Sequence, residues 1–192
     1  MDFLTASDNR HGGAKVDPGD GGDAPETSYS VDPGDKYNSI RQTLTASKRS
    51  GNGLITSNVV TSSTFLNVDS NRFSCNGLTF SSRLTLALPD GPHDGALASV
   101  DDRIAMGFKI TQPVRVRLQS NIVSDVDVAF IRLIGPAGTP LNVEDRSDQY
   151  IQLATAGVYT LIGSARLAVH CPNHSLGGRP LDVQLSATLT KG

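Results

Sequence analysis

The chain has 192 residues and a formal net charge of −2, from 17 Lys and Arg against 19 Asp and Glu, with 19 Gly, 10 Pro and no Trp. This length fits one ordinary domain, and a chain so near neutrality lacks the field that captures nucleic acid by charge. The first 30 residues hold no continuous apolar run behind a basic start, so no Sec-type signal is expected, and no stretch is apolar for long enough to span a bilayer as a helix.

Charge is uneven along the chain. Residues 1–35 carry eight acidic and two basic side chains, a net −6, which leaves +4 on the remainder. The same segment has six Gly and three Pro and few large apolar groups. By composition it cannot bury enough surface to offset its ordering entropy, so residues 1–49 are expected to form an acidic N-terminal arm and linker. Val16-Asp17-Pro18-Gly19-Asp20 recurs as Val31-Asp32-Pro33-Gly34-Asp35. Pro followed by Gly is type II turn chemistry, so each copy predicts a turn. Ile40 and Leu44 within Tyr37–Lys48 predict a helical turn in the linker.

From about residue 54 the pattern becomes period two. Leu78, Phe80, Ser82, Leu84, Leu86 and Leu88 alternate with polar residues, as do Val114, Val116 and Leu118, and Leu181, Val183, Leu185, Ala187 and Leu189. Alternation puts one face in a core and the other in solvent. Val126–Ile134 and Val158–Val169 are more continuously apolar, as central strands are, and Leu54–Thr61, Phe65–Phe73, Ile104–Ile110 and Tyr150–Leu153 are weaker strand candidates. Ser99–Met106 predicts a single helical turn. Pro89–Pro92, Gln112-Pro113, Gly135–Gly138, Gly157 and Gly177-Gly178 supply the turns. Short strands with Gly/Pro turns predict an all-β antiparallel β-sandwich or jelly roll over residues 50–192.

The run Asp125-Val126-Asp127-Val128-Ala129-Phe130-Ile131-Arg132-Leu133-Ile134-Gly135-Pro136-Ala137-Gly138, then Ala156-Gly157-Val158-Tyr159-Thr160-Leu161, resembles bacterial pre-peptidase C-terminal domains. The strand pair within Phe108–Gln119 fits the same pattern. That resemblance implies a non-catalytic, jelly-roll-like β-sandwich of the kind attached to secreted enzymes.

Chemical signatures are sparse. There is no Gly-x-Ser-x-Gly elbow and no glycine-rich phosphate loop, so no catalytic residue and no cofactor is expected. His170, Cys171 and His174 form the densest group of metal-ligating residue types, but their spacing matches no common zinc motif. No metal site is therefore expected. Cys75 and Cys171 either pair or remain buried thiols. Arg115, Arg117 and Arg132 fall on solvent faces and offer a basic surface that an acidic arm carrying Asp17, Asp20, Asp32 and Asp35 would fit.

These features predict a non-enzymatic virion component, a capsid decoration (cement) protein. Its partners would be further copies of itself and neighbouring capsid subunits, reached through the arm, with no nucleic acid and no membrane. An extracellular or cell-surface adhesion module, carbohydrate-binding for example, is the second expectation, and a jelly-roll viral coat protein the third. The acidic arm argues against the basic, genome-binding arm of small RNA-virus coats.

Overall fold

The computed structural model describes residues 3–30, 39–51, 53–69, 71–72, 74–89, 95–124, 129–141, 146–170 and 180–192. In chain order the strands are β1 (Phe3–Asp17), β2 (Glu26–Ser30), β3 (Ile40–Ser50), β4 (Gly53–Leu66), β5 (Ser74–Cys75), β6 (Gly77–Ala87), β7 (Leu97–Ile110), β8 (Val114–Ser124), β9 (Ala129–Ile134), β10 (Pro140–Leu141), β11 (Arg146–Leu153), β12 (Gly157–His170) and β13 (Leu181–Lys191). They form two antiparallel sheets. The first runs β10-β9-β12-β7-β1-β2, with the short β5 also paired to β1; the second runs β11-β8-β13-β6-β4-β3.

The order within the sheets has a simple logic. From β6 onward the chain crosses repeatedly between layers, which places β6-β13-β8-β11 in one sheet and β7-β12-β9-β10 in the other. That winding is an eight-stranded jelly roll. The N-terminal strands then widen both layers: β1 and β2 continue the first sheet beyond β7, and β4 and β3 continue the second beyond β6.

The alternation read from the sequence is what builds the core. Leu78, Phe80, Leu84 and Leu86 of β6 and Val183, Leu185 and Leu189 of β13 are buried, as are Val100, Ile104, Met106 and Phe108 of β7 and Leu161 and Leu167 of β12. Gly163 of β12 leaves the space that the Phe80 ring occupies; a Cβ there would come within 2.4 Å of the ring.

The expected N-terminal arm is not an arm. Over the length of β1, Leu4 to Asp17 pair with Lys109 to Leu97 of β7, and His11 to Lys15 pair on the other side with Ser30 to Glu26 of β2. Arg10, Ala14 and Val16 are buried. The backbone ladder supplies hydrogen bonds whatever the side chains are, and the small or polar inward positions fit the polar interior described below. The expected boundary at residue 49 fails for a related reason: β3 and β4 form a hairpin that straddles it, with Ser50 opposite Gly53. The expected helical turns are also strands, since residues 40–48 belong to β3 and Ser99–Met106 to β7. The Phe65–Phe73 candidate ends at Leu66, where Asp69 turns the chain by accepting the Asn71 N–H on its carboxylate.

Candidate functional site

The sequence-predicted contact residues are engaged locally. Asp17 accepts the Gly19 N–H at 2.9 Å and Gly19 has a φ of 78°, as a Pro-Gly turn requires. Asp20 accepts the Gly22 N–H at 2.9 Å. Asp32 and Asp35 lie outside the described residues. The turn after β1 lies against its own second sheet: Ser50 Oγ donates to the Pro18 carbonyl at 2.8 Å and Lys48 Nζ to the Asp23 carbonyl at 3.1 Å. Acidic segment and basic body therefore meet within one chain, and the role assigned to a free arm is withdrawn.

The three arginines do not form one face. Arg117 makes a two-point contact with Asp148 of the adjacent β11, and these hydrogen bonds hold the Asp148 carboxyl below its ordinary pKa. Arg115 lies over the Tyr150 ring at 4.4 Å, and Arg132, in the other sheet, lies over Phe130 at 4.5 Å. His170 ends β12, whereas Cys171 and His174 lie outside the described residues. Cys75 is buried in β5. Among the described residues no group of three or more His, Cys, Asp or Glu is placed to hold a metal ion.

A polar island, announced by no pattern in the sequence, lies between the sheets where β1, β2 and β7 meet β4 and β6. Arg10 and Asp102 are buried there with Thr61, Ser63 and Ser82. Tyr29 of β2 reaches inward across Gly12, and its hydroxyl donates to Asp102 Oδ1 at 2.6 Å. Arg10 Nη1 donates to Ser63 Oγ in the facing sheet. Burial pushes the Asp102 carboxyl above its ordinary pKa, while the hydroxyls of Ser82, Tyr29 and Thr61 pull the other way. Burial, then the Asp102 charge, also raises the Tyr29 phenol. Asp102 Oδ2 and Ser82 Oγ are both buried without a hydrogen-bond partner.

Gly12 makes this arrangement possible. A Cβ at that position would lie 2.8 Å from Tyr29 Cε1 and 2.9 Å from both the Asp101 carbonyl and Asp102 Oδ1. Backbone and carboxylate cannot both give way, so Gly12→Ala should destabilise the fold by about 1–3 kcal/mol, the usual range for overpacking. Urea unfolding of the variant checks it, and an unchanged midpoint would show that the Tyr29–Asp102 contact is loose.

Asp102 points inward, so its neighbours Asp101 and Arg103 point outward. The register then carries a row across the outer surface of the first sheet: Ser30 beside His11, His11 beside Arg103, Arg103 beside Ser164, and Ser164 beside Phe130. One step along, Gly13 stands beside Asp101, and Asp101 beside Arg166. His11, Ser99, Asp101, Arg103, Ser164 and Arg166 line a concavity of about 450 Å³ there. Among the described residues neither Arg103 nor Arg166 makes an ion pair.

The outer face of the second sheet is different. Arg83 is matched by Asp182 and Arg117 by Asp148, and neighbouring hydroxyls satisfy one another, with Thr79 and Thr188 2.8 Å apart and Ser62 and Ser81 2.9 Å apart. Arg41, Arg49 and Arg115 of the second sheet also make no ion pair among the described residues, so what sets Arg103 and Arg166 apart is their shared place on one cross-strand diagonal beside a concavity. The available sequence signal was the outward phase of Arg103 and Arg166 in their strands; the pairing of β7 with β12 that brings them together is legible only in the fold.

No protein-family model matches the chain, and neither a curated protein nor a solved structure matches it.

Proposed function

We propose that the chain is a non-enzymatic structural protein of a virion, a jelly-roll capsid decoration protein working as a homo-oligomer among neighbouring capsid subunits. The observation that supports this reading is the strand order, β6-β13-β8-β11 against β7-β12-β9-β10, a winding that viral capsid domains use. The N-terminal strands that widen both layers give it two broad outer faces for contact. The test is gradient sedimentation of particles from cells that make this chain. The expected result is co-migration with the particles at fixed stoichiometry. Protein that stays with the soluble fraction at every particle concentration contradicts the reading.

An extracellular binding module is the second reading. The concavity around Arg103 and Arg166 favours it, because that site suits a small charged ligand better than a broad protein contact.

A further inference from the structure

We infer that the concavity on the outer face of the first sheet binds an acidic saccharide, a sugar bearing a carboxylate or sulfate. The inference goes beyond the virion reading and does not depend on it. Arg103 and Arg166 are both exposed, and neither makes an ion pair among the described residues. They sit diagonally across the β7–β12 pair, because Arg103 faces Ser164 and Asp101 faces Arg166. Diagonal neighbours in a sheet are roughly 7 Å apart, so two long guanidinium groups can converge on one planar oxyanion.

The remaining groups choose the ligand class. Asp101 stands beside both arginines on the same outward face. A carboxylate there repels a ligand that is anionic throughout, such as a phosphodiester chain, but accepts hydrogen bonds from hydroxyls. Ser99 and Ser164 add hydroxyls that donate or accept, and His11 adds a ring nitrogen. Beside Ser164, outside the concavity's own lining, Phe130 is 36% exposed with the Arg132 guanidinium over its ring, and its uncovered part offers an apolar surface for the C–H face of a sugar ring. An oxyanion flanked by hydroxyls and an apolar ring face is the chemistry of an acidic sugar. The volume of about 450 Å³ lies within the ordinary range of small-ligand sites.

The row is held from beneath. Asp102, between Asp101 and Arg103, is tied to Tyr29, which locks β1 and β2 beside β7 and keeps His11 next to Arg103.

The test is calorimetric titration of the full chain with sialyllactose, methyl galacturonoside and a monosulfated lactose, each bearing a single anionic group. Neutral lactose, inorganic phosphate and a single-stranded oligonucleotide serve as comparisons. At least one acidic saccharide should bind about tenfold or more tightly than lactose, and which one binds separates carboxylate from sulfate. Arg103→Gln and Arg166→Gln should each weaken that binding about tenfold or more, the scale of a lost charge-assisted hydrogen bond. Their melting temperatures should not change, because both side chains are exposed. Phe130→Ala should weaken saccharide binding and leave any phosphate binding as it was. Three results would each overturn the inference: no acidic saccharide binds; phosphate or the oligonucleotide binds as tightly as the best saccharide; or the double arginine variant keeps full affinity. Particle sedimentation does not read this site, so the two readings fail separately.

Discussion

Deleting residues 1–30 should abolish cooperative unfolding altogether. β1 fills the place between β7 and β2, and β4 packs against it across the sandwich, where Ser57 Oγ donates to the Lys15 carbonyl at 3.0 Å. Without β1 and β2 the first sheet ends at β7, and the inner faces of β3 and β4 lose their cover. Val16, Ile55 and Val59 are all fully buried. Deletion removes Val16 and uncovers Ile55 and Val59; at roughly 1.5–3 kcal/mol for each burial lost, these three account for about 5–9 kcal/mol, comparable with the lower half of a typical domain's stability of about 5–15 kcal/mol. Asp102 would also lose the Tyr29 hydroxyl, and Ser63 the Arg10 guanidinium. The check is thermal unfolding followed by circular dichroism, with dispersion of the amide NMR spectrum alongside. A deleted chain that melts within a few degrees of the full one would contradict the fold described here.

Replacing Asp102 should separate the worth of its oxygen from the worth of its charge. Asp102→Ala leaves the Tyr29 hydroxyl without its acceptor in a buried place, which should cost about 1–3 kcal/mol. Asp102→Asn keeps a carbonyl oxygen for Tyr29 and removes a buried charge, so it should be at least as stable as the wild type at pH 7. The pH dependence has a definite sign. Burial raises the folded pKa of Asp102 above its unfolded value, so the proton binds more tightly in the folded state. The stability this group contributes is full below the unfolded carboxylate range, near pH 4, and is lost as pH rises through the raised folded pKa. Facing the carboxyl are Tyr29 from β2, Thr61 from β4 and Ser82 from β6, with Asp101 beside it on β7. Of these Asp101 also disfavours the charge, while the three hydroxyls limit the shift. Urea unfolding between pH 4 and 8 should therefore show a fall in the wild type that Asp102→Asn lacks. An Asn variant as unstable as the Ala variant would mean that the charge itself holds the site.

The strands that the sequence announced are those with large apolar groups on one face. β6, β8 and β13 read directly from Leu, Val and Ile at every second position, because their inner faces meet the apolar core. β1 was illegible for a physical reason. Its inward positions are Arg10, Gly12, Ala14 and Val16, small or polar because they border the island around Asp102. A strand that is half backbone and half polar contact looks, by composition, like a disordered segment. β7 was obscured in the same way, since Asp102 breaks its alternation where Ser99–Met106 looked helical. The outward phase of Arg115, Arg117 and Arg132 was legible. Phe130, two residues before Arg132 on the same strand, was legible too, whereas Tyr150 and Asp148 were not, because cross-strand neighbours are set by register, which no local pattern encodes. Arg103 and Arg166 escaped notice for the same reason: 63 positions apart in the chain, they become neighbours only when β7 pairs with β12.

The central claim is that the N-terminal strands belong to the sandwich and set the register of its outer face. Hydrogen–deuterium exchange of the full chain, read residue by residue, tests it most directly. Because β1 is hydrogen-bonded on both sides from His11 to Lys15, those amides should exchange in the same slow class as the amides of β7 and β12. If they exchange at the rate of an unstructured peptide while β7 and β12 stay protected, residues 1–30 are a detachable arm after all, and both the buried Tyr29–Asp102 contact and the row it holds in place are wrong.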